Sequence, residues 1–354
     1  MSTNNVHVLS ADQQVARIFE WRRGFNAMHL IDLGVRLGLF QALAETPDAS
    51  ADAIAERLGL HAPYVATWCI TAYSLGLVES EKTGRLRLAP HIDTILANAG
   101  HPRYLGSYVR LGTEFATEDF RGCVAAFRTG DTVPYQGRSE DFTETVTGST
   151  QGLHVVTARK ILPELPGVKA LMDAGGAILD VGCGTGNFLL QLAKAFPGGR
   201  CVGVDIDPVG IAVAKRRIAA ADLGDRVAAI EGPIASVQPA TFDIVVMVEV
   251  LHEIEPAVRP RVVSECAQAL RPGGWLVIVD ETYPSTLEQA RQPEYQFPLQ
   301  TGFEELLWGN VVPTREEQEQ LLREAGFTGP VDRSLLGEGF TLLTTRLPDQ
   351  HLQT

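Results

Sequence analysis

The stretch AILDVGCGTGNFLLQLAKAFPGGRCVGVDID, from Ala177 to Asp207, holds the residues whose spacing says most about chemistry. An apolar run enters Gly182-Cys183-Gly184-Thr185-Gly186-Asn187 and a helical pattern leaves it, so a strand, a tight turn and a helix follow one another. A dinucleotide fingerprint, G-x-G-x-x-G, would place glycine at 187, where this chain has Asn187. No Lys-Ser or Lys-Thr pair follows this turn, which excludes a phosphate-gripping P-loop there. Asp205 ends the next apolar run about 20 residues beyond the turn, where a carboxylate accepts the hydroxyls of an adenosine ribose. That geometry supports a nucleoside without choosing one.

A second group lies further on. His252 and Glu253 follow a fourth apolar run in VEVLHEIEP, Glu281 follows a fifth in VIVDETYP, and Glu304 lies in LQTGFEELLWG. An imidazole suits proton transfer because it titrates near neutral pH. His252, Glu253 and Glu304 could also gather around a divalent metal as one imidazole and two carboxylates, although no second histidine lies nearby. Phe297, Phe303 and Trp308, with Trp21 and Phe25, are candidates to wall a pocket or simply to fill core.

Alternating strands and helices must position these groups. AILDVG, RCVGVD, RVAAIEG, FDIVVMVEV and GWLVIVDE read as buried strands, and GNFLLQLAKAF, PVGIAVAKRRIAAADL and PAVRPRVVSECAQAL as the helices between them. Asp207 caps the second helix and Pro208 suits its first turn. This alternation builds an α/β, doubly wound parallel sheet, with ligands beyond the C-terminal ends of the strands.

The region before residue 170 is mainly helical. RGFNAMHLIDLGVRLGLFQAL reads as a buried helix. SADAIAERLGL and APYVATWCITAYSLGLVES read as two helices joined at Gly59 to His61, and LVESEKTGRLRLAP as two short strands with Thr83-Gly84 at the tip. Helix, turn, helix and wing outline a winged-helix domain. Its second helix has no Lys or Arg to meet phosphate, so the outline points to packing or dimerisation rather than DNA binding. Three parts follow: 1–100 as the winged-helix dimerisation domain, 101–170 as a helical connector and pocket roof broken at Pro134, Gly137 and Gly148, and 171–354 as the ligand-binding domain.

The totals agree. A net charge of −13 disfavours polyanionic partners such as nucleic acid. No apolar run spans a bilayer, and the N-terminus lacks a basic head and apolar core, so neither membrane insertion nor secretion is expected. Five widely spaced cysteines without a CxxC pair suggest reduced thiols in a cytoplasm.

In combination, the G-x-G-x-G turn, Asp205, the acidic-histidine segment after the fourth strand and ALRPGGWLVIVDE resemble the class I S-adenosylmethionine-dependent methyltransferases, from about Ile178 to Glu281. With the helical region before it, the chain is similar to small-molecule O-methyltransferases of secondary metabolism that carry an N-terminal winged-helix dimerisation domain. The resemblance implies a Rossmann-like sheet, S-adenosylmethionine as cofactor, a small-molecule acceptor and a homodimer. It implies that Asp180, Gly182, Gly184 and Gly186 line the methionine part, Asp205 holds the ribose and Ile206 packs on adenine. Gly232, Pro233 and Ile234 would edge the adenine ring, and Glu249 would face the cofactor. Pro233 stands where many relatives have an acidic side chain for the adenine amine. His252 would be the general base for an acceptor hydroxyl, with Glu281 orienting it and Glu253 beside it. A further glutamate that relatives place ahead of PTREEQEQLLREAGF is absent, with Val312 near its place. Two other readings stay open: a C-methyltransferase of an enolisable, α-keto acid-like substrate, with or without a metal, and a catalytically silent S-adenosylmethionine-binding protein.

Overall fold

The computed structural model describes residues 9–82, 84–337 and 339–349. The chain forms two compact units, Met1–Glu114 and Phe115–Thr354. The expected connector is thus divided, residues 101–114 going with the first unit and 115–170 with the second.

In the first unit, helices α1 (Ala11–Arg36), α2 (Leu39–Glu45), α3 (Ala51–Leu58) and α4 (Ala62–Ser74) precede the antiparallel strands β1 (Val78–Lys82) and β2 (Arg85–Leu88). This is the helix–turn–helix and wing order, although Thr83, half of the expected hairpin tip, lies outside the described residues. Leu39, Phe40, Leu43, Ile54, Val65 and Trp68 form the core, and the Trp68 indole donates to the Leu30 carbonyl at 2.9 Å. The first helix differs from expectation. It starts at Ala11 and buries only Asp32 and Gly34, while Val15, Ile18, Phe19, Trp21 and Phe25 are exposed. Only its last turns, through Leu30, Ile31 and Val35, reach this unit's core.

The second unit is built on a seven-stranded sheet. Strands β3 (Ala177–Val181), β4 (Arg200–Asp205), β5 (Val227–Glu231), β6 (Phe242–Val248), β7 (Leu270–Asp280), β8 (Asp332–Leu336) and β9 (Phe340–Arg346) take the order β5-β4-β3-β6-β7-β9-β8. The five strands read from the sequence are mutually parallel, and β8 and β9, which the sequence reading missed, add an antiparallel edge. Alternate side chains feed two cores. Ile178 and Val246 meet Phe188, Leu192 and Ile211 on one face, whereas Leu179 and Val245 meet Val263, Cys266 and Leu322 on the other. Asp207 caps the helix Pro208–Ala220, accepting from the Val209 and Gly210 N–H groups, as its position implied. Gly148 lies inside the helix Glu140–Ser149 and marks no break. All five cysteines are free. Among the described residues no single helix is long and apolar enough to cross a membrane.

The order of strands reverses between β3 and β6, and the glycine turn lies at that switch point. Gly182 leaves β3 at φ +73°, and a Cβ there would lie 2.5 Å from Val250 Cγ2. Gly184 has φ +47° but meets nothing within 4 Å. Gly184→Ala should therefore cost about 1–2 kcal/mol of stability, from backbone strain alone. Gly182→Ala should cost about 3 kcal/mol or more, because a clash adds to strain. Urea unfolding of the two variants checks the order; equal costs would contradict it.

Candidate active site

Backbone donors fix the carboxylate that ends β4. Asp205 Oδ2 accepts from the Gly184 N–H at 2.7 Å, and Oδ1 from the Asp207 N–H at 2.8 Å. Each oxygen keeps a second lone pair for hydroxyl donors. Burial pushes this carboxyl above its ordinary range even with those bonds. Ile206 is 63 % exposed beside it, free to meet a ring. Ile234 is not. Its side chain packs in the core with Val204 and Leu251, so of the expected adenine edge only exposed Pro233 and the backbone of Gly232 face outward. The helical turn after Gly232 returns the chain to the sheet, and that return carries Ile234 inward.

At the strand tips, Asp180 Oδ2 and Glu249 Oε1 are buried without hydrogen-bond partners. Burial, reinforced by Asp205, holds Asp180 well above the carboxylate range. Glu249 adopts φ +58°, rare for a residue with a side chain, directly after β6. Unpartnered buried carboxyls are costly unless a cation or donor reaches them. A ligand carrying a sulfonium and an ammonium meets that need, and the glycine turn gives its backbone room. The residues present fit S-adenosylmethionine.

His252 is buried, and its Nδ1–H donates to Asp280 Oδ1 at 2.8 Å. The same carboxylate accepts from the N–H groups of Val250 (3.1 Å), Leu251 (2.7 Å) and Glu281 (2.7 Å). With Nδ1 so engaged, Nε2 is the nitrogen left to gain or lose a proton, and it faces Glu305 Oε2 at 3.5 Å. Burial by itself works against an imidazolium. Asp280, Glu305 and Glu249 nevertheless hold His252 well above the ordinary histidine range.

These contacts correct the expected roles. Asp280 orients His252, not Glu281, whose carboxylate lies 2.8 Å from the Thr301 hydroxyl. Successive residues at a strand end point to opposite sides, and the register Val248↔Val279 brings Asp280, not its neighbour, to the turn after β6. On the helix Gln296–Trp308, Glu305 approaches His252 and Glu304 does not; adjacent helical positions are about 100° apart. Asn310 Nδ2 donates to Glu305 at 2.7 Å, so a second acidic side chain, not foreseen near Val312, borders the imidazole. Burial raises Glu253 to about 8, Glu281 to about 7 and Glu304 to about 7. Burial, and after it the Glu253 and Glu305 charges, push the phenol of Tyr135, which no sequence pattern marked, well above its ordinary range, and its ring centroid lies 5.7 Å from that of Trp308. Among the described residues the group with metal-ligand spacing is Glu249, His252 and Asp280, not His252, Glu253 and Glu304. Asp280 already accepts four hydrogen bonds, so metal ligation would have to break some of them.

Comparison with known proteins identifies the family. Residues 178–274 match the methyltransferase domain family. The chain is 30 % identical over 259 residues to the 3-hydroxy-5-methyl-1-naphthoate 3-O-methyltransferase of Streptomyces sahachiroi, covering 69 % of this chain and 70 % of that one. It is 25 % identical over 321 residues to the 3-amino-4-hydroxybenzoate 4-O-methyltransferase of Streptomyces cremeus, covering 88 % and 84 %. The human N-acetylserotonin methyltransferase, solved in complex with SAM, shares the fold at TM-score 0.77 and 19 % identity, over 96 % of this chain and 100 % of that one. The chain belongs to the class I S-adenosylmethionine-dependent methyltransferases of the small-molecule O-methyltransferase type. S-adenosylmethionine is its methyl donor and a small molecule its acceptor.

A sulfonium bound beside His252 would act against the carboxylates that raise its pKa. Titration of the His252 imidazole by NMR should give a midpoint above the ordinary histidine value in the free protein. That midpoint should fall on adding S-adenosylmethionine, and fall less with S-adenosylhomocysteine, which lacks the sulfonium charge. An unchanged midpoint with both ligands would contradict the electrostatic account.

Proposed function

We propose that the enzyme methylates a hydroxyl, most simply a phenolic one, with His252 as general base. The observation that carries this reading is the 2.8 Å bond from His252 Nδ1 to Asp280, which leaves Nε2 as the proton acceptor. S-adenosylmethionine supplies an electrophilic methyl group. Nε2 takes the acceptor's hydroxyl proton as the oxygen becomes nucleophilic, and the buried Asp280 carboxylate stabilises the resulting imidazolium. Glu305 borders the same nitrogen and limits how the hydroxyl can sit. Glu253, whose charge reaches the Tyr135 phenol, acts on the acceptor side. An aromatic acceptor is supported by the hydroxy-aromatic acids in the relatives' names and by Tyr135 and Trp308 near this side.

Asp180, Gly182, Gly184 and Gly186 hold the methionine part in this reading, Asp205 the ribose and Ile206 the adenine face. Glu249 meets the cationic end, which its buried Oε1 without a partner supports. A cytoplasmic place of work is supported by five free thiols. A homodimer without nucleic-acid partners is supported by the exposed apolar positions of α1 and by an α4 lacking Lys and Arg.

His252→Ala should lower turnover by about 100-fold or more while leaving cofactor affinity intact. The assay is methyl transfer from labelled S-adenosylmethionine to a panel of phenols, with calorimetry for binding. Undiminished turnover removes His252 from the mechanism. Light scattering at micromolar concentration should report twice the chain mass, and Phe19→Glu with Ile18→Glu should shift it toward the monomer. A wild-type chain that is monomeric there contradicts the dimer.

A further inference from the structure

A separate cavity of about 260 Å³ lies beside the antiparallel edge of the sheet, lined by Thr282, Glu294, Tyr295, Arg315, Arg333 and Thr341 among others. Its charges do not balance. Arg333 is half-buried and has no carboxylate partner among the described residues. It donates to Gln318 Oε1 at 2.8 Å and, at 3.5 Å, to Thr282 Oγ1. Its Nε–H is buried with no partner at all. Arg315 stands close enough that, after burial, it is the next influence lowering the Arg333 pKa. Of the carboxylates nearby, Glu294 lines the cavity with the two arginines, Glu316 accepts from Ser285, and Glu319 accepts from Arg315 at 2.7 Å and lies 3.9 Å from Arg323.

We propose that this cavity binds a small oxyanion, a carboxylate or a phosphate, gripped by Arg333 and closed over by Arg315. A guanidinium presents its donors in a planar fork that matches two oxygens of such an anion. Glu319 and Glu316 act favourably on Arg333 without forming an ion pair with it, and an oxyanion in the cavity would supply direct charge and acceptors to this partly desolvated guanidinium. The volume suits an ion or a small polycarboxylate and falls short of a drug-sized ligand. The site also adjoins the chemistry. Gln318, which Arg333 holds, donates to the Glu281 carbonyl at 3.1 Å, so an occupant would steady the end of β7.

The test is calorimetric titration of the full-length protein with inorganic phosphate and, separately, with citrate, at ionic strength fixed by potassium chloride. Saturable one-site binding of at least one anion is expected, with the tighter of the two showing which oxyanion the site prefers. Arg333→Gln should weaken that binding about tenfold or more, and Arg315→Gln several-fold. Arg315 is exposed and, among the described residues, hydrogen-bonded to Glu319, so its variant keeps the test decisive even if Arg333→Gln fails to fold. Absence of saturable binding by the wild-type protein, or uptake unaltered in Arg315→Gln, overturns the proposal. Neither readout involves methyl transfer, so the outcome is independent of the function proposed above.

Discussion

A carboxylate with 1 % exposure, Asp280 at the tip of β7, ties the chemistry to the sheet. It accepts from Val250, Leu251 and Glu281 backbone N–H groups and from the His252 ring. Three of the four donors are backbone groups that a sharp turn after β6 would otherwise leave unsatisfied in the interior. One side chain therefore shapes the turn and selects the histidine tautomer. The order of strands makes this work, because β6 and β7 are parallel neighbours and their C-terminal ends finish side by side.

The second constraint is charge. Asp180, Asp205, Glu249, Glu253, Asp280, Glu281 and Glu305 crowd the ends of the central strands and the helix above them, with His252 as the group that offsets them. Burial raises the pKa of Asp180, Asp205, Glu249, Glu253 and Glu281. An interior of this kind discriminates between ligands by sign. A doubly phosphorylated dinucleotide is repelled where a sulfonium is welcomed, and this agrees with the G-x-G-x-G spacing that leaves no pyrophosphate cradle. Electrostatics and backbone geometry select the same cofactor for different reasons.

The first unit obeys a different logic. Its core is small and complete around Phe40 and Trp68, yet α1 runs on with Phe19 and Trp21 in solvent. The helical spacing read from Arg23 onward did not announce the turns before it, nor what covers their apolar side chains.

Much of the fold was legible in the sequence. Five buried parallel strands, the helices between them, the Asp207 cap and the left-handed glycines of the first turn follow from local rules, since period, capping and backbone sterics act over a few residues. The strands β8 and β9 were missed because a short apolar run such as FTLLTTR does not declare its pairing partner. His252 and Asp205 could be located because they sit at strand ends, where side chains meet ligands in a doubly wound sheet. Sequence could not choose between Asp280 and Glu281, or between Glu304 and Glu305, because each choice turns on a single residue of register or about 100° of helix rotation. Ile234 was misplaced for a related reason, as the turn after Gly232 returns the chain to the core. Tyr135 lay in a stretch broken by proline and glycine, with no periodicity to place it. Sequence alone determined the class of ligand and the elements around it; only tertiary packing decided which carboxyl meets the imidazole, because that depends on distances between segments far apart in the chain.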